Sequence, residues 1–380
     1  MKKKIVFYND AAGYGGHEVM MLLIIREAVR LQHDIHLICS PLNRQVVAAA
    51  HGLEGLTVHI LPFTLNRFNF ITNALNLPKI GFLRRLLRSI APDCVVAVQG
   101  NIEISSLVLP AARKEELPVI SYMALAQTMR ELGASLPAVR DAIDRYFLDI
   151  PDLFIITGES QRSWLNQRGI AARRICLIPN VVSFDPGRLP DRTQARRELG
   201  LGGEGFWFGL VARVVANHKG HNYLIEAVNL YRERFSGIRF LIVGDGPDLA
   251  AVQKTVEQQG LSAYFLFKPW MDDLNKVYAA LDAVIMPSNH EGVPLIMIEA
   301  GLSGLPVVAS DIDGMKDYLP PEWLFPRGDL PAMVASMTVV ASADQSVLCT
   351  DVKKRFREIF LRQTIGREFL AELEALYRVP

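Results

Sequence analysis

Two glutamates stand eight positions apart in SNHEGVPLIMIEAGLSG, Glu291 and Glu299, and two cations, Arg213 and Lys219, lie upstream in VARVVANHKGHN. Carboxylates of this kind accept hydrogen bonds from ligand hydroxyls. An arginine can grip diphosphate oxygens through two parallel hydrogen bonds, and a nearby lysine adds a point charge. If Glu291 lies in a loop and Glu299 in the helix that follows it, a rise of about 1.5 Å per residue separates them by about a turn and a half along the axis. That stagger is too large for two carboxylates sharing a proton. It suits two clamps on an elongated polar ligand, with a phosphate between them over the backbone amides of Gly292, Val293 and Leu295, and Pro294 lining the same turn. A plainer reading makes Glu291 a solvated loop charge, Glu299 a helix-surface residue and the two cations exposed side chains. Against it, Glu299 sits inside the apolar run PLIMIEAGL, where a charge is ordinarily paired or ligand-bound.

The elements that must position these residues are legible around them. Ala283 to Pro287 and Pro306 to Ala309 are short apolar runs bounded by Pro, Ser or Gly, the pattern of buried strands. Between them Pro294 suits a first helical position, and Gly301 or Gly304 suits the end. The unit is strand, loop, helix, strand, a right-handed crossover in a parallel sheet. Its helix start directs unpaired N–H groups at the loop from Asn289 to Val293, where an anion is expected. Phe206 to Ala212 reads as another strand with Arg213 at its end, and Lys219 precedes Gly220 and a helix beginning near Asn222. Arg239 to Val243 follows as a strand, then a sharp turn at GDGP.

The first half repeats the alternation. Strands are expected at Lys4 to Asn9, Asp34 to Cys39, Thr57 to Leu61, Cys94 to Val98, Val119 to Met123, Leu153 to Thr157 and Ile175 to Ile178, mostly separated by helices, as in a doubly wound parallel sheet. The loop DAAGYGGHE after the first strand carries Gly13, Gly15 and Gly16, which let backbone approach a ligand. It is not the dinucleotide fingerprint, since Glu18 stands where the third glycine belongs. His17 is either polar lining or a helix-start surface residue. Ser183 to Gly205, rich in Pro, Gly and charge, reads as a linker. Residues 64–90 carry Arg67, Lys79, Arg84, Arg85 and Arg88 among Phe68, Phe70, Phe82 and leucines, and Gly55 to Pro92 contains no acidic residue. Such a segment can favour an anionic membrane surface, although a soluble helix with a solvated cationic face has the same letters. Val352 to Tyr377 reads as one long amphipathic helix.

A chain of 380 residues, half of them hydrophobic and about a fifth charged, has room for two domains and a large core. The formal net charge of +1 argues against a nucleic-acid protein. Cys39, Cys94, Cys176 and Cys349 are too scattered for a disulfide framework or a zinc site. The start MKKKIVFYND has too short an apolar run for a signal peptide, so a cytoplasmic location is expected. Asp311 and Asp313 spell the Asp-x-Asp of some metal-binding transferases, but no further ligands accompany them, and no metal is expected.

PSNHEGVPLIMIEAGLSGLPVVAS, with Arg213 and Lys219 in order before it, resembles the retaining glycosyltransferases of family 4, the glycosyl transferases group 1. The resemblance is strongest from Phe206 to Tyr318. It implies an α/β, GT-B fold, in which two Rossmann-like doubly wound parallel-sheet domains face a central cleft and a C-terminal helix crosses back to the first domain. The implied division is an acceptor-side domain over 1–184, a nucleotide-sugar domain over 185–352 and the returning helix over 353–380. It further implies a UDP-sugar or GDP-sugar donor, a hydroxyl acceptor on a glycan, lipid-linked sugar or small molecule, and no cofactor. Glu291 would contact the transferred sugar, Glu299 the ribose, and Arg213 and Lys219 the diphosphate. Gly15 and Gly16 would line the cleft, and the loop with Trp270 and Met271 would lie by the base. The family commonly has a histidine near the sugar where the closest polar residue here is Gln127. A nucleotide-sugar epimerase of related fold would need an acid and base not identifiable in this chain. A regulatory nucleotide-sugar sensor would keep Arg213, Lys219 and Glu299 without turnover.

Overall fold

A computed structural model describes residues 2–64, 76–182, 184–202, 205–271, 273–360 and 365–376. The chain forms two units, Met1–Asn180 with Gln363–Pro380, and Val181–Arg362. In the first, seven parallel strands are ordered β3-β2-β1-β4-β5-β6-β7. They are β1 (Lys4–Asn9), β2 (Asp34–Cys39), β3 (Leu56–Ile60), β4 (Cys94–Gln99), β5 (Val119–Met123), β6 (Leu153–Ile156) and β7 (Ile175–Leu177). The central strands β4, β5 and β6 are buried at every position, because helices cover both faces of a parallel sheet and leave no solvated side.

The second unit holds β8 (Phe206–Val211), β9 (Ile238–Val243), β10 (Phe265–Lys268), β11 (Ala283–Met286), β12 (Val307–Ser310) and β13 (Leu324–Phe325), all parallel, in the order β10-β9-β8-β11-β12-β13. The strand order reverses between β1 and β4 in the first sheet and between β8 and β11 in the second. Such switch points open a crevice beyond the carboxyl ends of the strands, where ligands of doubly wound sheets bind. Arg213 and Lys219 follow β8, and Glu291 follows β11. Topology alone brings these residues to one crevice edge.

Several local expectations change. The stretch read as a linker contains the helix Arg192–Leu199, capped by Asp191, whose side chain accepts from Gln194 N. Arg192 and Arg196 both bind Asp282, which also accepts from Trp207 N at 2.7 Å. The helix buries only Ala195 and Leu199, so its sequence carries almost no apolar period. Of the C-terminal stretch expected to form one helix, residues 361–364 lie outside the described residues, and the structure describes Gln345–Phe360 and Ile365–Leu376. The former packs on Leu295–Ser303 in the second unit, where the ring of Phe356 lies against Gly301. The latter packs on Gly16–Arg30 in the first unit, with Phe369 stacked on Phe7 at 6.1 Å.

The basic helix Leu77–Ile90 turns its apolar positions Ile80, Leu83, Leu87 and Ile90 into the core of the first unit, while Arg84 and Arg88 pair with Glu115. That is the soluble-helix pattern, with no support for membrane contact; Arg67, Phe68 and Phe70 lie outside the described residues. Among the described residues no single helix is long and apolar enough to cross a membrane, and the pair Leu330–Ser342 and Gln345–Phe360, which reaches the length together, is bent by 107°.

Candidate functional site

The second crevice is built from two loops that are stitched together. After β8 the chain makes the short turn Ala216–Lys219 and then Gly220, whose φ of +74° is left-handed. A Cβ added at Gly220 would lie 1.8 Å from the carbonyl oxygen of Pro287, so only glycine permits both the turn and the contact. Asn289 N then donates to His218 O at 2.8 Å, and Asn289 Nδ2 to Asn217 O at 2.6 Å. Across this seam the Lys219 ammonium lies 2.6 Å from Glu291 Oε1, although the residues are 72 positions apart. Ser288 Oγ donates to the same oxygen at 2.9 Å. The pair is mostly shielded, with 10% of the Glu291 side chain and 21% of the Lys219 side chain exposed.

Arg213 stands exposed at the end of β8, with no side-chain hydrogen bond or ion pair among the described residues. The helix of the glutamate motif spans Leu295–Ser303, with Pro294 as its extended N-cap and not its first residue, and Gly304 as its left-handed C-cap. Proline fits there because its fixed φ of −69° is compatible with the cap and it has no N–H to leave unpaired. No side chain among the described residues caps this helix start, so the amide groups of its first turn remain available. A further loop supports the loop Gly292–Val293 from behind. Gly314, at φ +83°, approaches so closely that a Cβ would lie 1.6 Å from Gly292 O.

Glu299 is neither a surface residue nor alone. Its Oε2 accepts from the hydroxyl of Tyr278, a fully buried side chain, at 2.6 Å. Burial raises the Glu299 pKa above its ordinary value, and the Tyr278 bond opposes that rise. Trp270 is 44% exposed, and its backbone N–H is fixed by Asp245 Oδ2 at 3.0 Å. Met271 packs partly buried against the core. Asp313 pairs with Lys316 at 2.6 Å, and among the described residues no group of three His, Cys, Asp or Glu could hold a metal ion.

In the first unit Gly15 caps the helix Gly16–Arg30, and Gly15 N donates to Glu18 Oε2 at 2.8 Å. Glu18 is fully buried, accepts from Asn9 Nδ2 at 3.3 Å and lies 2.7 Å from His17 Nε2. The residue that breaks the dinucleotide fingerprint therefore pins the glycine loop. His17 packs over Gly100, where an added Cβ would touch its ring at 3.0 Å. Gln127 is buried.

Sequence reasoning passed over Ser288 and Tyr278. Ser288 stands in a loop, where a serine looks like a turn residue. Tyr278 looks like one more core aromatic in LNKVYAAL, and its hydroxyl becomes meaningful only beside Glu299.

Two Rossmann-like domains, the second with Lys219 and Glu291 meeting at its switch point, define a GT-B protein. Glycosyltransferase Family 4 matches residues 14–185 and Glycosyl transferases group 1 matches residues 205–343, most of the sequence between them. The chain belongs to this family of glycosyltransferases. It is 34% identical over 209 residues to the 2-deoxystreptamine glucosyltransferase of Streptomyces kanamyceticus, a match covering 52% of each chain. The matched stretches span about half or less of the length of the curated relatives. Among solved structures, sucrose-phosphate synthase from Thermosynechococcus elongatus superposes with a TM-score of 0.81 at 18% identity over all of both chains. Anabaena HepE in complex with UDP and glucose superposes with a TM-score of 0.79 at 18% identity, covering 98% of this chain and 100% of that one. At that identity the likeness carries the fold.

Proposed function

We propose that the protein is a retaining, metal-independent glycosyltransferase that moves a sugar from a nucleoside diphosphate donor to a hydroxyl acceptor in polysaccharide, lipid-linked glycan or glycolipid synthesis. The observation that carries the reading is the meeting of Lys219 with Glu291 at the second switch point, with Arg213 beside it on the same strand edge and Glu299 half-buried along the next helix. The diphosphate lies against Arg213, Lys219 and the amides ahead of Leu295, which stabilise the negative charge that grows as the sugar departs. Glu291 orients the sugar through its hydroxyls, and Glu299 accepts from the ribose. The acceptor hydroxyl attacks the anomeric carbon on the face from which the diphosphate departs, and its proton passes to the leaving phosphate oxygen, so that configuration is retained. The location that fits such a donor is the cytoplasm.

The test begins with thermal stabilisation of the purified protein by nucleoside diphosphates and their sugars. The reading expects one base to raise the melting temperature in both forms, and slow hydrolysis of the matching donor. Stabilisation without any turnover in the presence of hydroxyl acceptors would leave a nucleotide-sugar sensor in its place. Isotope exchange at the second carbon of the sugar would identify an epimerase.

A further inference from the structure

The two oxygens of Glu291 are unequally engaged. Oε1 receives both the Lys219 ammonium and the Ser288 hydroxyl, whereas Oε2 has no hydrogen-bond partner among the described residues. Ser288 is 2% exposed and lies two residues beyond the end of β11, so its hydroxyl is carried on rigid backbone. The lysine contact by itself fixes the carboxylate weakly, because an ammonium on a flexible four-carbon stem can follow a rotating partner. A short serine side chain cannot.

We infer that Ser288 is a positioning residue for Glu291, holding Oε1 toward Lys219 so that Oε2 is presented to a hydroxyl of the transferred sugar. This rests on the donor-binding reading of the site. A purely structural duty for the hydroxyl is already covered by other contacts. Asn289 binds His218 O and Asn217 O, and Gly220 packs on Pro287 O, so the loop stays joined to the turn without it. What the hydroxyl adds is the orientation of one carboxylate. Displacement of a reacting group by about 1 Å is enough to cost about two orders of magnitude in rate.

The experiment compares Ser288→Ala, Ser288→Thr, Glu291→Gln and the Ser288→Ala/Glu291→Gln double variant in donor turnover, with the bare nucleoside diphosphate titrated in parallel. Ser288→Ala is expected to lower kcat about tenfold, short of the full displacement cost, while donor KM and diphosphate affinity stay within about twofold of wild type, inside the range of a neutral substitution. Ser288→Thr keeps the oxygen and should recover most of the rate. In the Glu291→Gln background, Ser288→Ala should add nothing further, since the group it positions is already lost. An unchanged kcat in Ser288→Ala, or fully additive losses in the double variant, overturns the inference. A loss of diphosphate affinity and melting temperature in step with kcat assigns Ser288 to structure and overturns it too. A crystal structure of Ser288→Ala supplies a readout that needs no activity: the Glu291 carboxylate should turn from its present orientation, with Lys219 following it, and an unmoved carboxylate refutes the positioning role. Should the carboxylate move while the wild-type protein turns over no donor, the proposed activity fails and the positioning stands.

Discussion

Replacing Glu299 by glutamine probes the proposed ribose end of the site and separates ligand binding from folding. The carboxylate is sheltered, accepts one bond from Tyr278 Oη at 2.6 Å, and has its pKa raised from 4.5 by burial. An acid that holds its proton more tightly in the folded protein than in the unfolded chain loses stability as pH rises from the ordinary glutamate range through the raised value, and the cost persists at pH 7. Glutamine has nearly the same shape, can still accept from Tyr278 and carries no charge. The unliganded variant should therefore melt at the same temperature or higher at pH 7, and the difference should shrink below the ordinary glutamate value of 4.5. Binding should move the other way. Hydrogen bonds to a charged acceptor are worth about 1.5–3 kcal/mol and those to a neutral one about 0.5–1.5 kcal/mol. With two ribose hydroxyls donating, the loss is about 1–3 kcal/mol, or about 5- to 150-fold in Kd. Calorimetric titration with UDP and with GDP at fixed pH, together with melting curves with and without ligand, measures both quantities. A folded variant that binds the diphosphate within about twofold of wild type, under about 0.5 kcal/mol, removes Glu299 from the ligand. A marked fall in the unliganded melting temperature makes the carboxylate a structural partner of Tyr278 instead.

Arg213→Ala should weaken diphosphate binding by about 1.5–3 kcal/mol by calorimetry, with little change in melting temperature because the side chain is exposed. Lys219→Ala should weaken it similarly and also lower the melting temperature, because Glu291 is left charged and mostly shielded without its counter-ion; unchanged affinity in both variants removes the clamp. On the proposed reading, in which two side-chain cations and a helix start face the diphosphate, transfer should survive EDTA; loss on chelation with recovery by magnesium or manganese would return attention to Asp311 and Asp313. His221 is 1% exposed with neither ring nitrogen hydrogen-bonded among the described residues, and burial followed by the Lys219 charge pushes its pKa down to about 4. The unfolded chain takes up this proton below about 6.5 and the folded protein resists until about 4, so stability is lost as pH falls through that window. His221→Leu should flatten that part of a melting temperature against pH profile, and an unaltered slope would refute the assignment.

How much of this was legible beforehand follows from the range of each interaction. The strands announced themselves as short β-branched runs between Pro, Gly and Ser, and most of their ends fall within a residue of expectation, as at Lys4–Asn9, Asp34–Cys39 and Val119–Met123. The helix after Glu291 and a glycine end at Gly301 or Gly304 were readable for the same reason, since they depend on neighbours along the chain, and the cap is Gly304. The glutamate spacing and the two cations were likewise in the letters. Local rules could not place the helix Arg192–Leu199, which is held by the distant Asp282 and only two buried apolar side chains. Nor could they give Phe356 and Phe369 their partners, Gly301 and Phe7, which tertiary packing chooses. Above all, the order of strands decided that the turn after β8 would face the loop after β11. The Lys219 to Glu291 bond, the serine that shares its oxygen and the tyrosine on Glu299 are long-range contacts or depend on one. Sequence supplied the chemical groups, and the sheet topology decided which of them meet, because a parallel crossover carries chain neighbours apart and brings distant loops to one edge.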